Sequence, residues 1–237
     1  MSSIPAYYED TYRFSDQAVV ESSSKDERGY FVVLDKTIFY PQGGGQPSDK
    51  GYLIYNEKEI PVHSVKMVDR QIRHYTSIDC PEIVGHSVIL KIDENSRILH
   101  AKLHTAGHLI SNAVENIYQN YKAIKGHHFP GECYVEFIIK ENAIELDLAL
   151  LNQKINELIG QNFQLQKTNV STEQLETLCP DLPYAIPAGE LIRLIKIASF
   201  EYQPCGGTHI NSLSELKGLQ LVKFKFKDNR IKIYYTF

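Results

Sequence analysis

Two short runs of the chain carry residues suited to binding a metal. In HTAGH, His104 and His108 are four residues apart, and in CGGTH the same spacing separates Cys205 and His209. Four residues span about one helical turn, so such a pair can lie on one side of a helix. Two histidines together with a cysteine and a further histidine form a donor set that suits zinc. The sequence therefore predicts one Zn²⁺ per chain, held by these four side chains.

The ligand set leaves the role of the metal open. Four protein ligands are typical of a closed structural site, whereas a catalytic zinc keeps one position for water or substrate. HTAGH also lacks the glutamate that follows the first histidine of the metallopeptidase motif HExxH and serves as its general base. Peptidase chemistry is therefore disfavoured. Catalysis would require one displaceable ligand or an expanded coordination shell, and a buried His/Cys cluster without metal is the alternative.

A glycine-rich stretch, FYPQGGGQPSDKG, occupies residues 39–51. Its three consecutive glycines, Gly43, Gly44 and Gly45, allow backbone angles and close approaches that side chains forbid. The stretch is not a phosphate-binding P-loop, because no Gly-Lys-Ser/Thr follows and no helix is predicted there. It is either a hairpin loop or a surface that a substrate or a polymer backbone approaches.

Hydrophobic patterning predicts two domains with a boundary after residue 92. Residues 1–92 contain short β-branched and aromatic runs separated by Gly, Pro and Asp, which indicates a β-rich, barrel-like domain. In residues 93–237, strand-like runs, among them 143–147 and 163–169, alternate with helical segments near 148–159 and after the capping box of Ser171 and Gln174. The second domain should be α+β, with helices packed on a largely antiparallel sheet.

The longest helical pattern covers residues 97–119, after capping residues at 93–96. At about 100° per residue, His104 and His108 lie opposite the apolar side, among small residues that leave room for a ligand. The small neighbours are Ala101, Gly107 and Ser111. The apolar side, which should face the core, consists of Leu99, Leu103, Ala106, Ile110, Ala113 and Ile117.

Composition limits the class of protein. No apolar run is long enough to span a bilayer, and the start MSSIPAYYED does not read as a secretory signal, so a cytoplasmic protein is expected. The four cysteines lack the close paired spacing of a disulfide scaffold, and we expect reduced thiols. A net charge of -4 argues against nonspecific nucleic-acid binding through overall charge. Any contact with RNA must use local patches.

In this order, FYPQGGGQPSDKG, HTAGH and CGGTH resemble the motifs of the AlaX-type alanyl-tRNA editing proteins. These are freestanding relatives of the editing domain of alanyl-tRNA synthetase and, more distantly, of threonyl-tRNA synthetase. The resemblance covers most of the chain, with Gln42 and Ile210 as minor variations, and is greatest to the medium-sized class. It implies that residues 1–92 form the β-rich domain with the glycine motif and residues 93–237 the zinc-binding editing domain.

The resemblance also implies an activity. Such a protein acts in trans as a zinc-dependent hydrolase on the ester that joins a wrong amino acid to tRNA(Ala), chiefly serine and secondarily glycine. The four metal ligands then form the catalytic centre, and Thr37, in LDKTIFYP, falls where the family places a threonine linked to serine recognition. The remaining substrate-binding residues implied by the motif are Gly43, Gly44, Gly45 and Gln46.

A hydroxyl at Thr37 would suit this task. Alanine is smaller than serine, so a pocket that admits serine cannot exclude alanine by size. A hydrogen bond that alanine cannot make leaves a buried polar group unpaired, at a cost of about 1–3 kcal/mol. Without the resemblance, Thr37 would read as an ordinary strand threonine.

Local basic residues provide candidate contacts to tRNA. The alternating lysines Lys223, Lys225 and Lys227 should share one face of a sheet, although solvated surface lysines are the common alternative. A noncatalytic, zinc-stabilised RNA-binding module is the second function compatible with these features. Further candidate contacts follow the long helix: Lys122, Lys125, His127 and His128.

Overall fold

A computed structural model describes residues 3–140, 145–179 and 191–237 of the chain. The chain forms two compact units, Met1–Ala101 and Lys102–Phe237, and their boundary falls within a long helix. None of the helices in these ranges is both long and apolar enough to cross a membrane.

The first unit contains a closed six-stranded barrel, which confirms the barrel-like fold expected from the sequence. The first unit as a whole has eight strands: β1 (Ile4–Pro5), β2 (Ser15–Asp26), β3 (Gly29–Leu34), β4 (Lys36–Thr37), β5 (Gly51–Tyr55), β6 (Lys58–Val68), β7 (Gln71–Thr76) and β8 (Ser87–Ile92). The barrel closes in the order β2, β3, β7, β6, β5, β8, while β1 pairs with β4 outside it. Alternate strand positions fill the interior, as shown by the buried side chains of Val32, Leu34, Leu53, Val88 and Leu90.

Two barrel strands, β2 and β7, lack the long apolar runs from which the β-rich domain was predicted. β2 contains a Ser-Ser-Ser segment and buries chiefly Ala18 and Val20. β7 places Arg73 beside Asp26 of β2, with 2.8 Å between Nη1 and Oδ2, and buries the ring of His74. Pairing with neighbouring strands therefore overrides the weak intrinsic preference of these two segments.

Helix α1 (Glu94–Ile117) begins three residues before the predicted start. Its N-terminus is capped by Asp93, whose Oδ1 accepts a hydrogen bond from the Ser96 amide at 2.9 Å. In the first turn Arg97 is fully buried and forms an ion pair with Asp49. Arg97 also donates to the carbonyl oxygens of Thr11 and Ile38, so one guanidinium holds three segments of the first unit.

The expected apolar side of α1 is buried along its middle, and Ile117 near its end is half-buried. Leu103, Ala106, Ile110 and Ala113 are buried, but Leu99 is 39% exposed. Because Arg97 points into the first unit, Leu99, two residues later and about 200° around the helix, points away from it. On the opposite side, Ala101, His104 and Ser111 are also buried, and His108 is half-buried.

In its described residues the second unit has two antiparallel sheets and three α-helices, the first of which begins in the first unit, and this confirms the expected α+β class. After α1 come β9 (Tyr121–Phe129), β10 (Glu132–Ile139), α2 (Leu148–Gly160), β11 (Gln166–Val170), α3 (Thr172–Leu178), β12 (Ile192–Lys196), β13 (Gln203–Pro204), β14 (Gln220–Lys227) and β15 (Arg230–Thr236). The larger sheet has the order β14, β15, β10, β9, and the smaller has β11, β12, β13.

The predicted helix ends agree with the capping observed. The Asp147 carboxylate accepts hydrogen bonds from the first amides of α2, and Ser171 and Gln174 form the capping box of α3. The predicted strand at 143–147 begins outside the described residues, and its remaining part, 145–147, is not a strand. The strand predicted from residue 163 begins at Gln166.

Candidate metal centre

Four potential metal ligands converge in the second unit. His104 and His108 lie one turn apart on α1, and Cys205 and His209 lie in the loop after β13. The ligand atoms of all four lie within 4.8 Å of one another. Cys205 Sγ is 3.5 Å from His104 Nε2 and 3.2 Å from His209 Nε2. The sequence spacing therefore identified a cluster that the fold assembles from segments about a hundred residues apart.

Two of the imidazoles are oriented by hydrogen bonds at their outer nitrogen. His108 Nδ1 lies 2.7 Å from Gln203 Oε1, and the Gln203 amide donates to Asn112 Oδ1 at 3.0 Å. His209 Nδ1 lies 3.0 Å from the Thr105 hydroxyl. With Nδ1 occupied, each ring directs Nε2 at the cluster, as metal-binding histidines do when a polar group holds their other nitrogen.

The CGGTH loop is fixed by Arg193 of β12. Its Nη1 donates to the carbonyl oxygens of Cys205 and Gly207 at 2.9 and 2.8 Å, and its own carbonyl accepts from the Cys205 amide at 3.0 Å. The Gly207 amide points at Cys205 Sγ, 3.3 Å away. These bonds orient the thiol towards the histidines and place a donor against its sulfur.

A fifth histidine packs against the cluster from β9. His128 is 4% exposed, and its ring stacks on that of His104 with centroids 4.9 Å apart. Its Nδ1 lies 2.5 Å from the Tyr235 hydroxyl, which donates to the Leu103 carbonyl. The ring occupies the space over Gly107, where an added Cβ would lie 2.1 Å from Cε1. The small residue at 107 therefore admits His128, and the space predicted for a ligand is filled at this position.

The electrostatics favour the metal-binding protonation states of Cys205 and His209, whereas His108 favours its protonated form and has to release a proton to a bound cation. Burial opposes ionisation of Cys205, but the imidazoles of His104, His209 and His108 bring the pKa of its thiol well below the usual value. Burial lowers the pKa of His209 to about 3. For His108, burial acts downward as well, but the Cys205 thiolate and Gln203 hold its pKa above the ordinary value. A thiolate beside neutral imidazoles is the state in which these groups bind a cation.

The donor set fits a tetrahedral metal ion. Metal–ligand bonds of roughly 2.0–2.3 Å at tetrahedral angles separate ligand atoms by about 3.3–3.8 Å, close to the sulfur–nitrogen distances found here. Three imidazole nitrogens and one thiolate could hold a metal of borderline softness. The residues that orient these ligands, Thr105, Arg193 and Gln203 among them, were not identified from the sequence, because their roles depend on contacts across long sequence separations.

Thr37 and the glycine-rich stretch lie in the first unit. Thr37 is fully buried, with its hydroxyl 2.8 Å from His74 Nε2 and accepting from the Phe39 amide at 3.0 Å. The glycines form a tight reverse turn, in which Gly43 and Gln46 exchange two backbone hydrogen bonds of 3.2 and 2.8 Å. Gly44 and Gly45 occupy the two central positions with φ of 53° and 77°, which glycine adopts at little cost. The stretch therefore contains a tight turn closed by an isolated bridge, while the strands before and after it, β4 and β5, pair with other strands.

Two segments of the chain match family models of tRNA synthetases. Residues 6–96 match the family described as class II (A) tRNA synthetases, and residues 192–232 match the second additional domain of threonyl- and alanyl-tRNA synthetases. The second match contains the CGGTH loop.

Individual relatives align with nearly the whole of this chain. The alanyl-tRNA editing protein AlaX-M of Methanosarcina acetivorans is 32% identical over 97% of both chains. AlaX-M of Methanosarcina mazei is 31% identical over 97% of this chain and 94% of its own length. The alanine–tRNA ligase of Caldivirga maquilingensis is 27% identical over 97% of this chain but only 26% of the ligase. The chain belongs to the AlaX-type family of alanyl-tRNA editing proteins.

Proposed function

We propose that this chain is a trans-acting deacylase that hydrolyses mischarged tRNA(Ala), with seryl-tRNA(Ala) as the main substrate and glycyl-tRNA(Ala) as the second. The convergence of His104, His108, Cys205 and His209 carries the proposal, because these side chains could hold a metal ion in a chain that aligns with AlaX-M proteins over 97% of its length. The metal we propose is zinc, which the three-nitrogen, one-sulfur donor set suits.

Bound at this centre, zinc would supply Lewis-acid polarisation of an ester carbonyl or of a water molecule. Other side chains of the protein hold the four proposed ligands in place and orient them. Gln203 and Thr105 fix the rings of His108 and His209, and Arg193 holds the loop of Cys205. An aminoacyl ester is more reactive than an amide, so the absence of a metallopeptidase glutamate from HTAGH is compatible with this reaction.

We propose that Thr37 selects serine because its hydroxyl oxygen can accept one more hydrogen bond. His74 Nδ1 lies 3.3 Å from the Val32 carbonyl, so this nitrogen carries the ring hydrogen and Nε2 accepts from Thr37. The Thr37 oxygen accepts from the Phe39 amide and retains one acceptor site. A seryl hydroxyl could donate to it, and an alanyl methyl could not. Because Thr37 is enclosed, the substrate side chain has to enter the space around it.

The backbone of the glycine turn is the second proposed substrate contact. Gly43 and Gly44 are exposed, so a ligand can approach the main chain there, whereas the side chain of Gln46 is buried. We assign Gly43, Gly44, Gly45 and Gln46 to binding of the aminoacylated adenosine.

A noncatalytic, zinc-stabilised RNA-binding module is the competing function, and the four-ligand centre favours it because closed sites are mostly structural. Deacylation assays with Ser-, Gly- and Ala-tRNA(Ala) separate the two. We expect release of serine and, more slowly, glycine, with Ala-tRNA(Ala) spared. Chelation or Cys205→Ala should abolish release, and Cys179→Ala, outside the cluster, should not. Failure to hydrolyse any of the three substrates would leave the binding module.

A further inference from the structure

The larger sheet of the second unit has one face that is rich in cations. Strand register aligns Lys223 with Tyr234, Tyr234 with Tyr134, and Tyr134 with His127 across all four strands. Register partners in neighbouring strands point to the same side of a sheet. We call this side the outer face. A second row on it follows two positions further along: Lys225, Lys232, Glu136 and Lys125.

The outer face is positive although the chain has a net charge of -4. Its acidic residues in these strands are Glu132 and Glu136, and Asp228 lies in the turn at its end. Arg230 approaches Glu136 at 3.7 Å. Such a local excess of cations attracts a polyanion even when overall charge repels it. The cations of the outer face, exposed except for the half-buried Lys232, are Lys125, Lys223, Lys225, Lys227, Arg230 and Lys232.

Several of these lysines lie over aromatic rings. The ammonium groups of Lys223 and Lys225 are 5.1 and 5.6 Å from the centroid of Tyr234, and that of Lys232 is 4.2 Å from Tyr134. A ring face positions an ammonium group without neutralising its charge, so the charge can still attract phosphate. His127 extends the aromatic row and stacks on Tyr134 with centroids 5.1 Å apart. Lysines combined with aromatic rings are characteristic of surfaces that bind nucleic-acid strands.

Strand β9 has the outer face on one side and the metal centre on the other. β9 is at the end of the strand order, and consecutive residues of a strand point to opposite sides. His127 lies on the outer face, whereas His128 points inward and stacks on His104. His128 is therefore removed from the expected RNA contacts. Lys122 forms an ion pair with Glu115 at 2.9 Å, closer than the 3.7 Å between Arg230 and Glu136, and for that reason we do not count Lys122 among the cations of the face.

We infer that the outer face binds the sugar–phosphate backbone of the acceptor arm of tRNA, whose single-stranded 3′ end passes around β9 to the metal centre. This inference rests on the proposed function for the identity of the RNA. The cations of the outer face and the position of that face beside β9 support the inference.

The test compares two triple variants with the same charge change. Lys223→Gln/Lys225→Gln/Lys227→Gln removes three cations from the outer face, and Lys58→Gln/Lys91→Gln/Lys217→Gln removes three exposed cations elsewhere. Binding of uncharged tRNA(Ala) transcript is measured by fluorescence anisotropy over a series of KCl concentrations. We expect the affinity of the first variant to be lower by about tenfold or more. The magnitude of its slope of log affinity against log salt concentration should decrease by about 2–3. The second variant should behave as the wild type.

Equal weakening in both variants, or an unchanged slope in the first, would overturn the inference. So would loss of binding to polyglutamate with tRNA binding intact, because the face would then serve an acidic protein. Hydrolysis of a seryl-adenosine ester, which lacks the acceptor arm, should proceed at the wild-type rate in the first variant. The binding measurement needs no catalysis, so a wild-type protein that binds tRNA without deacylating it refutes the proposed function and leaves the face in place.

Discussion

The ring of His128 lies nearly parallel to that of His104, with an interplanar angle of 23°. His128 cannot move away from this position easily, because Gly107 and Gly126 both abut it and an added Cβ would come within 2.1 or 2.3 Å of the ring. Tyr235 fixes the ring rotation through Nδ1. The ring of His104, a proposed metal ligand, is thus packed against the imidazole of His128, which lies outside the cluster of four.

Tyr235→Phe should loosen this arrangement while preserving ring volume. We expect weaker zinc affinity and an altered visible absorption spectrum of the Co²⁺-substituted protein, since outer-shell partners of metal ligands commonly contribute about 10- to 100-fold to affinity or activity. Tyr234→Phe, on the adjacent residue but the opposite face, is the matched control. Identical Co²⁺ spectra and affinities for the two variants would contradict the positioning role.

Gln203→Leu should weaken metal binding through His108. The substitution removes the acceptor of the 2.7 Å bond to His108 Nδ1, so the ring loses its fixed tautomer and orientation. We expect zinc affinity to fall about 10- to 100-fold in competition titrations with a chromophoric chelator. Gln166→Leu, at an exposed position of β11, should leave the affinity unchanged. A similar loss in both variants would indicate general destabilisation instead.

Arg97→Leu should destabilise the protein without touching the metal centre. The substitution leaves the buried Asp49 carboxylate without its cation and removes the donors to Thr11 and Ile38. Breaking one side of a buried ion pair costs about 3–5 kcal/mol, which urea unfolding would register. Arg28→Leu breaks an exposed contact of 3.9 Å to Glu27 and should change the free energy by less than about 0.5 kcal/mol. Comparable midpoints for the two variants would refute this prediction.

His74 should make the stability of the protein depend on pH. Burial lowers its pKa from 6.5 to about 4, opposed in part by the Val32 carbonyl. Between these values the unfolded chain binds a proton that the folded chain excludes, so this contribution is present above about pH 6.5 and is lost as pH falls. His74→Gln cannot titrate. Its destabilisation relative to wild type should therefore shrink by about 2 kcal/mol between roughly pH 7.5 and pH 5. A constant difference would show that His74 is not the linked group.

Thr37→Val should reduce discrimination by the proposed deacylase. Valine keeps the branched shape and removes the hydroxyl, so a seryl substrate loses a hydrogen bond that an alanyl substrate never makes. We expect kcat/KM for seryl-tRNA(Ala) to fall about 5- to 150-fold, equivalent to about 1–3 kcal/mol, with little change for alanyl-tRNA(Ala). Equal losses on the two substrates would place the effect on folding and not on recognition.

Patterns between residues close together in the sequence predicted the local features of the structure. The i, i+4 spacing in HTAGH and CGGTH identified the four clustered side chains, and the capping box of Ser171 and Gln174 predicted the start of α3. The barrel was predicted as a β-rich domain from its apolar runs. The strands β2 and β7 lack such runs, because a strand of polar residues gains its stability from pairing and not from its own composition.

Sequence by itself determined which side chains could bind a metal, because helix and turn geometry link residues a few positions apart. Only the tertiary structure decided what surrounds them. Gln203, Arg193 and Tyr235 reach the centre from segments far along the chain, and no local period records such contacts. His127 and His128 are neighbours in sequence, yet strand pleating sends one to the outer face and the other against His104. Their different surroundings follow from the register of β9 in the sheet, which the pairing of distant strands determines.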